Sequence, residues 1–234
     1  DLTPELAFSL GKAGAYVLGR TNKDKPVIII GADTRLSGYM LENALTAGIL
    51  AVGGNVIRAG VIPTPAIAYL VRYYNADAGA VISASHNTFE YNGIKFFNDQ
   101  GFKLDDDIED EIENLIIRDI DISNNVTGEA IGKCLEAEES MLDLYADFLV
   151  RSAGTDLNGV KVVLDCANGA SYIVAEKVYR ALGADVRMIG NDPNGLNINN
   201  GCGSTHPEKL QREVVRSDAL IGMAFDGDAD RLIA

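Results

Sequence analysis

Pro26-Val27-Ile28-Ile29-Ile30-Gly31-Ala32 is a run of mostly β-branched apolar residues that leads into Asp33-Thr34-Arg35-Leu36-Ser37-Gly38. An apolar run of this length with no polar alternation reads as a strand buried on both faces, as in a parallel sheet. Helical patterning over Ser37–Val52 and a second apolar run at Asn55–Val61 follow it. Strand, helix and strand in that order form the crossover unit of a parallel sheet, and this makes the fold class α/β.

The alternation continues outward from this unit. Gly79–Ser83, Gly159–Asp165, Ala184–Ile189 and Ala219–Phe225 read as further strands, and Asp105–Ile117, Glu136–Val150, Ala170–Leu182 and Pro207–Arg216 as helices. Thr3-Pro4 and Thr64-Pro65 each offer an N-cap followed by proline at the first helical position. A polar, glycine-containing stretch at Arg151–Gly159 divides residues 1–150 from 151–234, whereas Ser123–Gly132 reads as an internal loop or hairpin. Ile30-Gly31-Ala32-Asp33 is echoed by Val163-Leu164-Asp165, a strand that again ends in aspartate before a polar turn. The echo suggests two related α/β domains, each expected as a mixed sheet flanked by helices. In such sheets ligands bind at loops beyond the carboxyl ends of strands.

The composition narrows the function. A net charge of −14 argues against nucleic acid, which is bound by basic stripes. Anionic small substrates remain compatible if a few Lys and Arg gather in one cleft. No apolar run is long enough to span a bilayer, so no membrane partner is expected. Cys134, Cys166 and Cys202 are widely spaced without CxxC pairing. They read as reduced, core or near-core thiols of a cytoplasmic protein. The chain opens without Met and closes on Leu232-Ile233-Ala234, an apolar run that reads as a strand in progress. A piece of a longer protein, with its second domain incomplete, is therefore expected.

Three motifs carry chemistry. Asp226-Gly227-Asp228-Ala229-Asp230-Arg231 follows the strand Ala219–Phe225. In an extended chain alternate residues sit about 6.6 Å apart, so the three carboxylates meet only if the chain curls. Gly227 and Ala229 leave room for that curl. Carboxylates about 5 Å apart repel by about 3 kcal/mol per pair at an effective dielectric of 20, a penalty that a divalent cation removes. Mg²⁺ suits a few carboxylates plus phosphate oxygens. An EF-hand loop is excluded, because it needs glycine where Arg231 stands and a helix in place of the preceding strand.

Ile82-Ser83-Ala84-Ser85-His86-Asn87 ends a buried strand in small residues and a hydroxyl, and Tyr91–Phe97 then forms a strand that carries Lys95. On these residues alone Ser85 reads first as a turn hydroxyl, and Lys95 as an outward lysine on an edge strand. Ser85 and His86 are not a convincing acyl-transfer pair, since sequence neighbours point apart and no third orienting group is evident. In Asp33–Gly38 a guanidinium beside a helix N-terminus suits a phosphate oxygen. The alternative there is an Asp–Arg turn with Ser37 as N-cap.

Together the blocks DTRLSG, ISASHN…NGIKFF and FDGDADR resemble the α-D-phosphohexomutase family, in its order and with its usual separations. Thr88 replaces the family's proline after His-Asn, which predicts a looser turn after Ser85. Ala229 replaces a common glycine, a change tolerated unless the residue needs a positive φ. Asn194–Asn199 with Cys202-Gly203-Ser204 looks like the branch that acts on glucosamine phosphates. The family has four domains, and the resemblance places this chain on the first and most of the second, without a short N-terminal strand segment. It implies that Ser85 is a phosphoserine, exchanging phosphate with a phosphosugar through a 1,6-bisphosphate. It further implies that Ser85, Asp226, Asp228 and Asp230 ligate Mg²⁺, and that Arg231 and Arg35 hold phosphate. Lys95 is the candidate for moving the sugar hydroxyl proton, and His86 supports the loop. Lacking the sugar-reading and distal-phosphate domains, the chain is expected to fold but not to turn over sugar phosphate. A homodimer is compatible with this reading. Mutases of glucose or mannose phosphates, and a non-catalytic metal-binding derivative, stand as alternatives.

Overall fold

In the computed structural model, which describes residues 2–20, 25–122 and 126–234, two mixed sheets organise the chain. The first runs in the order β4 (Ile94–Asn98), β3 (Ala78–Ile82), β1 (Val27–Ala32), β2 (Asn55–Val61) and β5 (Cys134–Leu135). All its pairings are parallel except β3 with β4. The second runs β7 (Asp185–Ile189), β6 (Lys161–Asp165), β8 (Ile221–Phe225) and β9 (Leu232–Ile233), parallel except for β8 with β9.

The aspartate echo has a counterpart in topology. In each sheet the strand that leads to Asp33 or ends in Asp165 lies between the next two parallel strands, and an antiparallel edge strand follows the third. The Ser85 loop joins β3 to β4, and the acidic loop joins β8 to β9, so the two motifs occupy equivalent places in the two units.

β1 shows why the first sheet holds. Ile28 and Ile30 face one way, against Leu41, Leu45 and Ile49 of α2 (Ser37–Ala51) and residues of α1 (Pro4–Leu18) and α4 (Asp106–Ile117). Ile29 faces the other way, with Ile67, Leu70 and Val71 of α3 (Thr64–Tyr73). Each isoleucine is fully buried, worth about 1.5–3 kcal/mol of transfer free energy apiece. The second of these cores also takes in Met141, Tyr145 and Ala146 of α5 (Met141–Ala153) and Val174 and Val178 of α6 (Val174–Ala181). One apolar layer therefore continues from the first sheet's helices to the second's. On the far face of the second sheet, Leu210 of α7 (Glu208–Ser217) packs with Val163 and Ala224.

Some local expectations change. The helix expected over Glu136–Val150 starts at Met141, because the Ser140 hydroxyl accepts from the Asp143 N–H and caps it there. The helix expected from Ala170 starts at Val174, after a loop in which Ala167 and Asn168 both have positive φ. Ser37 is not a cap: its hydroxyl accepts from Asn92 Nδ2, and the helix start has no side-chain cap bond. Cys166 and Cys202 are buried, but Cys134 is exposed, since it lies on a two-residue edge strand with both residues open to solvent. Residues 123–125 of the expected internal loop lie outside the described residues. Gly128–Ala130 forms a short 3-10 turn. No helix among the described residues is long and apolar enough to cross a membrane.

Candidate active site

Ser85 stands just past the carboxyl end of β3 with φ 51°, a left-handed conformation rare for serine. Its loop is built from the inside. The Ser83 hydroxyl accepts from the Ser85 N–H at 3.0 Å and donates to Asp33 Oδ2 at 2.6 Å. Arg35 is almost fully buried beneath the loop. Its Nε donates to Asp33 Oδ2, Nη1 to the carbonyls of Thr88 and Tyr91, and Nη2 to those of Ser85 and Asn87.

A guanidinium has five N–H donors, and these five bonds account for all of them. Arg35 therefore does not have the free donors expected of a phosphate ligand. It shapes the serine loop instead, and the Asp–Arg turn is the reading that the geometry supports. The turn expected to loosen at Thr88 is closed by that residue's carbonyl, which accepts from Arg35 and from the Tyr91 N–H.

The second domain grips the same loop. Asn199 is buried, and its Nδ2 donates to the carbonyls of Ser85 and Asn87, both at 2.8 Å. With the loop's carbonyls drawn inward by Arg35 and Asn199, the Ser85 hydroxyl points at the acidic loop and donates to Asp226 Oδ2 at 2.7 Å.

The acidic loop curls as its small residues allow. The Asp226 carbonyl accepts from the Ala229 N–H, and Asp226 Oδ1 from the Arg231 N–H. Ala229 has φ 56°, so the alanine sits where glycine would be unstrained. A Cβ on Gly227 would lie 2.6 Å from the Ser85 carbonyl and 2.7 Å from Asn199 Nδ2, so only glycine lets the two loops approach this closely. One carboxylate oxygen from each of Asp226, Asp228 and Asp230 lies within 4.8 Å of the others.

The electrostatics of this trio are unbalanced. Burial pushes the Asp226 carboxyl above its ordinary pKa, the Ser85 hydrogen bond opposes that rise, and the charges of Asp228 and Asp230 add to it. Lys95 Nζ reaches Asp228 Oδ2 at 2.8 Å and Asp230 Oδ2 at 3.7 Å. Thr64 Oγ1 also donates to Asp228 Oδ2, at 2.7 Å. Asp228 Oδ1 is buried with no hydrogen-bond partner among the described residues. Three convergent carboxylates, one with an orphaned buried oxygen, are a donor set that fits a hard divalent cation.

On the open side Arg231 Nη1 lies 3.0 Å from His86 Nδ1, bringing the expected phosphate ligand beside the serine loop. The structure thus gathers Ser85, His86, Lys95, Asp226, Asp228, Asp230 and Arg231 where the serine and acidic loops meet, with Arg35 beneath the serine loop. Thr64, Asn199 and Ser83 had no expected role there, and Asp33 only that of the Asp–Arg turn. Thr64 was assigned to helix capping, but its helix start has no side-chain cap bond and its hydroxyl turns to Asp228.

Comparison with known proteins identifies the family. Residues 1–121 match the description "Phosphoglucomutase/phosphomannomutase, alpha/beta/alpha domain I", and residues 143–234 match domain II of the same family. Over the whole chain it is 55% identical to a phosphoglucosamine mutase of Acetivibrio thermocellus and 56% identical to one of Clostridium acetobutylicum. It spans about half the length of these curated relatives, 52% in each case. Among solved structures, a phosphoglucomutase/phosphomannomutase family protein from Burkholderia thailandensis matches 99% of this chain and 50% of its own, with a TM-score of 0.79 at 28% identity. A phosphomannomutase-like structure from Thermus thermophilus shares the fold, with a TM-score of 0.78 at 24% identity over 99% of this chain and 52% of its own. The chain belongs to the phosphoglucomutase/phosphomannomutase family, its first alpha/beta/alpha domain carrying Ser85 and its second the Asp226–Asp230 loop.

Proposed function

We propose that this chain is the phosphoryl-transfer part of a mutase that interconverts glucosamine 6-phosphate and glucosamine 1-phosphate. The observation that carries the reading is the Ser85 hydroxyl, 2.7 Å from the first of three convergent carboxylates. Residues 1–150 form the serine-bearing domain and 151–234 the acidic-loop domain in this reading, in a cytoplasmic enzyme whose thiols stay reduced.

Phosphorylated Ser85 gives its phosphoryl group to the free hydroxyl of a sugar monophosphate. The serine P–O bond breaks, a sugar P–O bond forms, and the sugar hydroxyl proton passes by way of Lys95, as general base and then acid, to the departing Ser85 oxygen. The 1,6-bisphosphate then reorients and returns its other phosphoryl group to Ser85, whose hydroxyl proton passes back through Lys95 to the departing sugar oxygen. Such transfer asks the protein mainly for positioning and for neutralisation of charge on the phosphoryl oxygens. Asp226, Asp228, Asp230 and a Ser85 phosphate oxygen would hold Mg²⁺, which when bound supplies Lewis-acid stabilisation of the transferring group. Arg231, with His86 against it, faces the cleft from its open side and takes phosphate oxygens. Arg35 and Asn199 hold the loop so that the serine oxygen stays aimed.

The substrate is tested with a panel of glucosamine, glucose and mannose 6-phosphates. The protein should be expressed at the length of its curated relatives with this chain included. The highest kcat/KM is expected for glucosamine 6-phosphate, and a clear preference for glucose or mannose phosphate would reassign the branch.

A further inference from the structure

We infer that Thr64 is a positioning residue for the acidic loop, fixing the Asp228 carboxylate while Lys95 moves. The inference rests on the phosphoryl-transfer reading and assigns a role to a residue outside its three motifs. Thr64 opens α3 in the first domain and is buried. Its backbone N–H donates to the Asp228 carbonyl at 2.9 Å and its hydroxyl to Asp228 Oδ2 at 2.7 Å. One residue of the first domain therefore holds both the main chain and the side chain of the middle aspartate, 164 residues away.

The two oxygens of Asp228 are treated unequally. Oδ2 accepts from Thr64 and from Lys95, whereas Oδ1 is buried with no partner among the described residues. A carboxylate anchored through one oxygen offers the other to a cation in a fixed direction. Of the two anchors, Lys95 is the more exposed: its side chain is 28% exposed, whereas Thr64 is buried, and it also reaches toward Asp230. To take the proton of a sugar hydroxyl, Lys95 must leave Asp228. Thr64 is then the donor that remains on Oδ2, so the carboxylate keeps its orientation through the step in which the lysine departs. Hydrogen-bond partners behind metal ligands commonly set affinity by 10–100-fold.

The test uses this chain with Mg²⁺ alone, followed by isothermal calorimetry and by the Mg²⁺-dependent rise in Tm. Thr64→Val removes the hydroxyl while keeping the branched shape and the backbone N–H, and Thr64→Ser restores the hydroxyl without the methyl. Thr64→Val should weaken Mg²⁺ binding by about tenfold, with Thr64→Ser within about twofold of the parent. Thr64→Ala serves as the hydroxyl-free variant if the valine does not fold, with the same expected loss. Unchanged Mg²⁺ affinity in the hydroxyl-free variant would overturn the inference. So would a serine variant as weak as the valine one, since that result would assign the effect to methyl packing. A parent chain that shows no Mg²⁺ response at all would overturn the metal assignment itself, an outcome distinct from loss of the Thr64 effect alone.

Discussion

The Ser85 hydroxyl donates to the Asp226 carboxylate at 2.7 Å, joining residues 141 apart in the chain and on different domains. Both follow the third parallel strand of their sheets. Two copies of one topology therefore face each other through equivalent loops, one presenting the Ser85 hydroxyl and the other three convergent carboxylates.

Replacing Arg35 separates loop-building from phosphate binding. Arg35→Ala leaves Asp33 buried without its ion pair and removes the donors from four carbonyls. Breaking one side of such a buried pair costs about 3–5 kcal/mol, so urea unfolding should show a loss of that order. Arg35→Lys should recover little of it, because an ammonium cannot satisfy five acceptors in a planar fork. A phosphate ligand at the cleft surface would instead leave unfolding nearly unchanged.

Ala229 holds a positive φ without being glycine. The left-handed conformation costs an L-residue about 1–2 kcal/mol, offset in part by the greater freedom of glycine in the unfolded chain. Ala229→Gly should therefore raise stability modestly, by up to about 1 kcal/mol, or about 2–4 °C in Tm for a chain of this size. A fall in Tm would show that the loop is not strained at this residue.

The pH dependence of Mg²⁺-free stability follows from Asp226. Its carboxyl is raised above the ordinary value, chiefly by burial. The folded state thus binds the proton more tightly than the unfolded chain does, and stability gains as pH falls through the raised pKa, levelling off below the unfolded value near 4. The difference in Tm between the parent and Asp226→Asn should move in the parent's favour over that window. Added Mg²⁺ should stabilise the parent less at the acid end, since protons compete for the same oxygens. A parent-minus-variant difference that does not change with pH would contradict this.

The strands and the curl of the acidic loop were legible because burial and turn chemistry are local signals, whereas Ser85 and Lys95 stood out only through the family resemblance. The run Val27–Ala32 could be little but a buried strand, and three aspartates alternating with small residues could meet only in a curl. Thr64 and Asn199 were not legible. Pro65 made capping the nearest reading of Thr64, while its actual partner lies 164 residues away. Asn199 sits in a polar, asparagine-rich stretch with no periodicity, and its two acceptors lie more than a hundred residues earlier in the chain. Arg35 was read for its charge. Its burial depended on a loop that folds over it from β3 and β4, which no pattern around residue 35 reports.

The central claim is that Ser85 takes the phosphoryl group beside the acidic loop. It is tested most directly by incubating this chain with glucosamine 1,6-bisphosphate and Mg²⁺ and locating phosphate by tandem mass spectrometry. One phosphate is expected, on Ser85, absent from Ser85→Ala and strongly reduced in Asp228→Asn. Phosphate on another residue, or equal incorporation into the Ser85→Ala chain, would contradict it.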